Sequence, residues 1–76
     1  MPAEYERVYA GITEKITGGA AGYAPKERLP TIAELAAEYM VGQTTVKTAL
    51  TLLGRDGWLR GIQGKGTFVA DDPPIE

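Results

Sequence analysis

At 76 residues the chain has room for one small domain, whose single core supplies roughly 3–5 kcal/mol of net stability. It contains no cysteine and no histidine, which excludes disulfide frameworks, Cys/His zinc sites and thiol or imidazole catalysis. The net charge of -2 and pI near 5.1 argue against a generic polyanion binder, but the charge is unevenly spread: between Gln43 and Val69 four cations (Lys47, Arg55, Arg60, Lys65) face only Asp56.

Tyr5, Val8, Tyr9, Ile12 and Ile16 recur at helical spacing, with Glu4, Glu6, Arg7, Glu14 and Lys15 mostly off the stripe. A first helix is therefore expected to end near Gly18-Gly19. The apolar runs are far shorter than the roughly 20 residues that span a bilayer. Met1-Pro2-Ala3-Glu4 lacks the basic and apolar regions of a signal peptide, so a soluble cytoplasmic protein is expected. From Gly18 to Pro30 glycine, alanine and proline are too frequent for regular structure, and the segment reads as a loop across the surface.

Thr31-Ile32-Ala33-Glu34 has the capping-box form, which starts a second helix at Thr31 with Ile32, Leu35, Ala36 and Tyr39 on its apolar side. Met40-Val41-Gly42 reads as a three-residue turn whose glycine serves as the next N-cap. A third helix is expected from Gln43 to Asp56, burying Val46, Ala49, Leu50 and Leu53. Gly57 can take the left-handed conformation that closes it. Trp58–Ile62 and Thr67–Val69 are rich in strand formers around Gln63-Gly64-Lys65-Gly66, the pattern of a hairpin. Residues 71–76, acidic and proline-containing, read as a tail or the start of a linker.

The expected fold is thus mainly α with a small β-hairpin: three helices plus a two-stranded wing over residues 1–70, a winged helix-turn-helix. In such a fold the third helix is the element offered to a DNA groove. Thr44 and Thr45 near its N-terminus carry hydroxyls suited to phosphate and methyls suited to thymine, whereas Thr48 divides evenly between contact and plain solvation. Gln43 can donate and accept together, the pairing that suits adenine. Lys47 lies one turn further along, within reach of a base edge or a phosphate. Lys65 between glycines has the form of a minor-groove probe, and Arg28 is placed to reach the DNA backbone beside the second helix. Trp58 reads as core, and Glu34 and Glu38 as capping or solvated carboxylates, since no nucleophile or metal ligand accompanies them.

From Leu29-Pro30 to Ala70 the sequence resembles the DNA-binding domain of the GntR family of bacterial transcriptional regulators. The resemblance rests on five motifs in order: Leu29-Pro30, Glu34-Leu35-Ala36, Thr45-Val46-Lys47-Thr48-Ala49-Leu50, Gly57-Trp58-Leu59 and Gly64-Lys65-Gly66-Thr67-Phe68-Val69. It implies a repressor bound as a homodimer to a palindromic operator, with the third helix in the major groove and the wing in the minor groove. Carried over by position, the contacts are Gln43, Thr44, Thr45, Lys47 and Thr48 from the helix, and Gln63, Gly64 and Lys65 from the wing. Members commonly place Ser-Arg where this chain has Gly42-Gln43, arginine where it has Lys47, and Ser-Glu-Arg where it has Thr31-Ile32-Ala33. Operator sequence and affinity are therefore not carried over. The family's larger effector domain does not fit in 76 residues, so no effector ligand or cofactor is expected within this chain. It is either a domain of a longer protein or a short member.

No enzyme is expected from this inventory. The rival reading is a winged helix used as a protein-interaction module, and steep salt dependence of binding would favour DNA over it.

Overall fold

The computed structural model describes residues 3–74 in the order α1 (Glu4–Thr17), α2 (Ile32–Tyr39), α3 (Gln43–Arg55), β1 (Leu59–Ile62) and β2 (Gly66–Val69). Residues 1–2 and 75–76, the outer ends of the expected domain and tail, lie outside it. The expected stripe holds on α1, where Val8, Ile12 and Ile16 are buried and Tyr5 and Tyr9 pack partly exposed at its edge. The helix stops at Gly18, whose amide returns to the Glu14 carbonyl at 2.8 Å.

At the start of α2 the capping box is fully formed: the Thr31 hydroxyl accepts from the Glu34 amide (3.1 Å) while the Glu34 carboxylate accepts from the Thr31 amide (2.9 Å). Leu35 and Ala36 turn into the core. Met40 ends α2 in the left-handed conformation (φ 56°, ψ 48°), Val41 follows, and Gly42 opens α3 with extended angles. This is the three-residue turn expected from the sequence. It lets α2 and α3 pack against each other while α3 also packs on α1.

Val46, Ala49 and Leu53 of α3 are buried, while Leu50, expected in the core, is only half-buried at its margin. The helix is one residue shorter than expected, since Asp56 caps it, and Gly57 supplies the left-handed closure at φ 90°. The Trp58 amide then reaches back to the Leu53 carbonyl (2.9 Å), which turns the chain into the hairpin. Trp58 itself is a correction: it is half-buried against the core and not inside it.

The hairpin is antiparallel, with Leu59 opposite Val69, Arg60 opposite Phe68, Gly61 opposite Thr67 and Ile62 opposite Gly66. Gly66 belongs to β2, so the loop is Gln63-Gly64-Lys65, closed by the Lys65 amide donating to the Ile62 carbonyl (3.0 Å).

The segment 18–30 corrects the sequence reading most. It is irregular as expected, yet Tyr23 and Leu29 are buried core residues. Its end lies along β2 as an added edge: the Lys26 amide donates to the Val69 carbonyl (3.0 Å), the Val69 amide to the Glu27 carbonyl (2.8 Å), and the Leu29 amide to the Thr67 carbonyl (2.8 Å). Arg28 is thereby bridged to Phe68. The wing satisfies the backbone of its 26–29 end, while the Tyr23 amide turns back onto the Ala20 carbonyl (3.0 Å), and with these groups paired the apolar side chains can turn inward. Ile12, Leu35, Leu53, Val8, Val46 and Val69 are the largest fully buried side chains, and truncating one of the larger of them to alanine is expected to cost about 2–5 kcal/mol.

Candidate nucleic-acid interface

The N-terminus of α3 differs chemically from those of the other helices. In α1 the Glu6 carboxylate accepts from the Ala3 amide, and in α2 the capping box does the same work, but Gly42 has no side chain to offer. The first turn of α3 also carries no acidic residue. Its leading amides and the positive end of the helix dipole therefore face outward uncompensated, which is the arrangement that receives phosphate oxygen.

Gln43, Thr44, Lys47 and Thr48 are exposed on α3, whereas Thr45 is half-buried. The Thr48 hydroxyl donates to the Thr44 carbonyl (3.1 Å), and Thr51 donates likewise to Lys47 (2.9 Å). With its proton turned back onto the helix, Thr48 presents an acceptor and a methyl group outward and no donor for phosphate.

Between α3 and the hairpin runs a shallow groove, with Lys47, Leu50 and Thr51 on one wall and Gly61 and Thr67 on the other. The wing projects beside it. Gln63, Gly64 and Lys65 are exposed at its tip, with Gly64 at φ 80° and Gly66 at φ 118°, angles that side chains rarely adopt. Of the residues expected from the sequence, Lys47 lines this groove, and Lys65 lines the other side of the wing with Arg60 and Phe68.

Arg28 lies beside the start of α2, near Thr31 and Glu34. It stands just before the α2 cap and contributes to lowering the Glu34 carboxyl pKa, although hydrogen bonds from Thr31 are the main cause. Its guanidinium, however, lies over the wing: a Cβ built on Gly66 would come within 3.0 Å of Arg28 Nε. Gly66 is needed for that approach as well as for its backbone angle.

Lys26 was not singled out from sequence, since it lies outside the cationic stretch between Gln43 and Val69. In the fold it lines the wing beside Arg60 and Phe68. Arg55 and Arg60 are exposed, with Asp56 at 3.3 Å and Asp71 at 4.0 Å as their neighbours. Such exposed pairs are worth about 0–1 kcal/mol and leave both cations free to exchange partners. Among the described residues there is no cluster of carboxylates that could hold a metal ion, and no helix is long and apolar enough to cross a membrane.

Residues 4–69 match the family described as bacterial regulatory proteins, gntR family. The chain is 42% identical over 67 residues to the histidine utilization repressor of Klebsiella aerogenes, covering 88% of this chain and 27% of that protein. It is 44% identical over 52 residues to the arabinose metabolism transcriptional repressor of Geobacillus stearothermophilus, covering 68% of this chain and 14% of that one. The chain thus spans about a quarter or less of these relatives' lengths. Among solved structures, the AraR DNA-binding domain in complex with operator ORX1 superposes with a TM-score of 0.85 at 34% identity, covering 92% of this chain and 82% of that one. The chain belongs to the gntR family of bacterial regulatory proteins and forms its winged helix-turn-helix DNA-binding domain.

Proposed function

We propose that this domain reads a double-stranded operator as a repressor module, with α3 in the major groove and the 63–66 wing in the adjacent minor groove. The observation that carries the reading is the likeness to a domain crystallised on its operator, 34% identical and with the same fold. The open N-terminus of α3 is chemically suited to it: Gln43 and Thr44 stand where base edges and phosphates are met, and Lys47 follows on the same face. Thr45, partly turned inward, supports the helix start and offers its backbone amide. Lys65 is carried by the glycine-flanked turn toward a groove of negative potential.

Two copies on a palindrome are the expected assembly, since each copy offers one reading helix and one wing. No cofactor is assigned. Selection of bound duplexes from a random pool tests the reading: enrichment of a two-fold symmetric sequence supports it, and failure to enrich any sequence, with salt-insensitive capture of protein partners instead, overturns it in favour of a protein-interaction module.

A further inference from the structure

The two faces of the wing are chemically different. Strand side chains alternate, and residues opposite one another across an antiparallel pair share a face. Leu59, Gly61, Thr67 and Val69 therefore form one face, which meets the core and the groove beside α3. Arg60, Ile62, Gly66 and Phe68 form the other, which points away from α3. Onto this outer face the 18–30 segment adds Lys26, which lines it, and Arg28, bridged to Phe68 with its guanidinium over Gly66. Lys65 borders the face from the tip.

Four of the chain's eight cations thus gather around Ile62 and Phe68 on a face that the reading helix does not touch. Ile62 is 37% exposed and Phe68 is half-buried between Arg28 and Arg60. The one acidic residue lining this face is Asp71, 4.0 Å from Arg60. In a chain with net charge -2, such concentration is a feature of the fold and not of composition, because Lys26 and Arg28 come from the 18–30 segment and Arg60 and Lys65 from the hairpin, with α2 and α3 between them in the chain.

We infer that the outer face of the wing is a second phosphate-binding surface, which takes the backbone of the same duplex on the side of the wing away from α3. The inference rests on the proposed operator reading. Lys26 and Arg60 contact phosphates, Arg28 is held over Gly66 to extend the cationic strip, and Ile62 and Phe68 supply the apolar floor that their side-chain stems cover. Asp71 competes as an internal anion for Arg60. Such contacts carry no sequence information; they add affinity and salt dependence equally on any duplex.

The test compares the intact chain with a Lys26→Gly/Arg60→Gln double variant on the selected operator and on a random-sequence duplex. Lys26 holds φ 72°, so glycine there is compatible with the backbone, and both side chains are exposed; circular dichroism and a thermal melt verify the fold. The expected result is a fall of about 2 per subunit in the slope of log affinity against log salt on both duplexes, with the operator-to-random affinity ratio unchanged. Arg60→Lys, which keeps the charge, should retain the wild-type slope. A double variant with the wild-type slope, while Lys47→Ala still lowers affinity, overturns the outer surface and leaves the operator reading intact. Loss confined to the operator overturns the phosphate assignment. Absence of DNA binding by the intact chain overturns both.

Discussion

Gly11 of α1 and Tyr39 of α2 are fitted to one another: a Cβ on Gly11 would come to 2.5 Å from the Tyr39 hydroxyl oxygen and 2.8 Å from a ring carbon. Tyr39 holds the two helices together through several contacts. Its carbonyl accepts from the Arg7 guanidinium (2.9 Å), and the Lys15 ammonium, paired with Glu38, sits 5.5 Å from its ring centroid. Because α2 and α3 pack together through the turn that follows Tyr39, this contact helps fix the pose of the reading helix.

Gly11→Ala is expected to destabilise the domain despite the better helix propensity of alanine. The propensity gain is about 0.5–1 kcal/mol, whereas forcing a methyl into an occupied space costs about 1–3 kcal/mol. A net loss of about 1 kcal/mol in chemical denaturation is the expected outcome. In a Tyr39→Ala background the same substitution should become stabilising, because the obstacle is gone; equal effects in both backgrounds would show that the contact does not set the helix spacing. The Tyr39 hydroxyl is buried without a hydrogen-bond partner, so Tyr39→Phe should be neutral or stabilising.

Met40→Gly is expected to stabilise the fold. Met40 holds φ 56° in the turn between α2 and α3 and is 87% exposed, so its side chain returns little packing for the strain. The left-handed conformation costs about 1–2 kcal/mol for such a residue, and glycine gives back about 0.5–1 kcal/mol through its more flexible unfolded chain. A rise in stability of about 0.5–1 kcal/mol in thermal or urea melts checks the argument, and a fall would show that Met40 packs in a way its exposure hides.

The helices and their ends were legible because their signals are local. The Thr31/Glu34 capping box, the Gly57 closure and the Val8-Ile12-Ile16 stripe each lie within a few residues and were found where expected. The added edge of the wing was not legible, because Arg28 pairs with Phe68, 40 residues away, through a single bridge with no periodicity. Leu29 was missed as core for the same reason, since its amide is satisfied by Thr67 of the distant wing, while Tyr23 was missed because an irregular local turn, its amide on the Ala20 carbonyl, carries it inward with no periodicity. The cationic stretch counted between Gln43 and Val69 likewise leaves out Lys26 and Arg28, which the fold delivers to the wing. Met40 gave no signal at all, since nothing about methionine announces a left-handed turn.

Stability should fall on acidification below about pH 4. Asp56 is held below the ordinary carboxylate range chiefly by the hydrogen bond from the Tyr9 hydroxyl, and Glu34 chiefly by the Thr31 amide. A carboxyl depressed in the folded state contributes stability that is present above its unfolded pKa and is lost as pH falls through its folded value. Tyr9 is raised, first by burial and then by Asp56, so its contribution is present below its ordinary pKa and is lost as pH rises through the higher folded value. Melts of Tyr9→Phe and Glu34→Gln between pH 7 and pH 2 should each show a shallower acid loss than wild type; identical acid limbs would remove these two carboxylates from the account.

Gln43 and Lys47 should separate base reading from phosphate holding. Both are exposed and lie four residues apart on one face of α3, Gln43 at its first position and Lys47 one turn on beside the groove that leads to the wing. The amide of Gln43 can bond a base edge in both directions, while Lys47 offers only donors and a charge. Gln43→Ala is therefore expected to cost about 1–3 kcal/mol on the preferred operator and to relax preference at one position in each half-site, with little change in salt slope. Lys47→Ala should weaken binding to every sequence and reduce the slope of log affinity against log salt by about 1 per subunit. Titrations of both variants on operator and random duplexes at several salt concentrations distinguish the two roles. If both alanine variants keep wild-type affinity, preference and slope, α3 is not the reading element, and binding must be sought on another face of the domain.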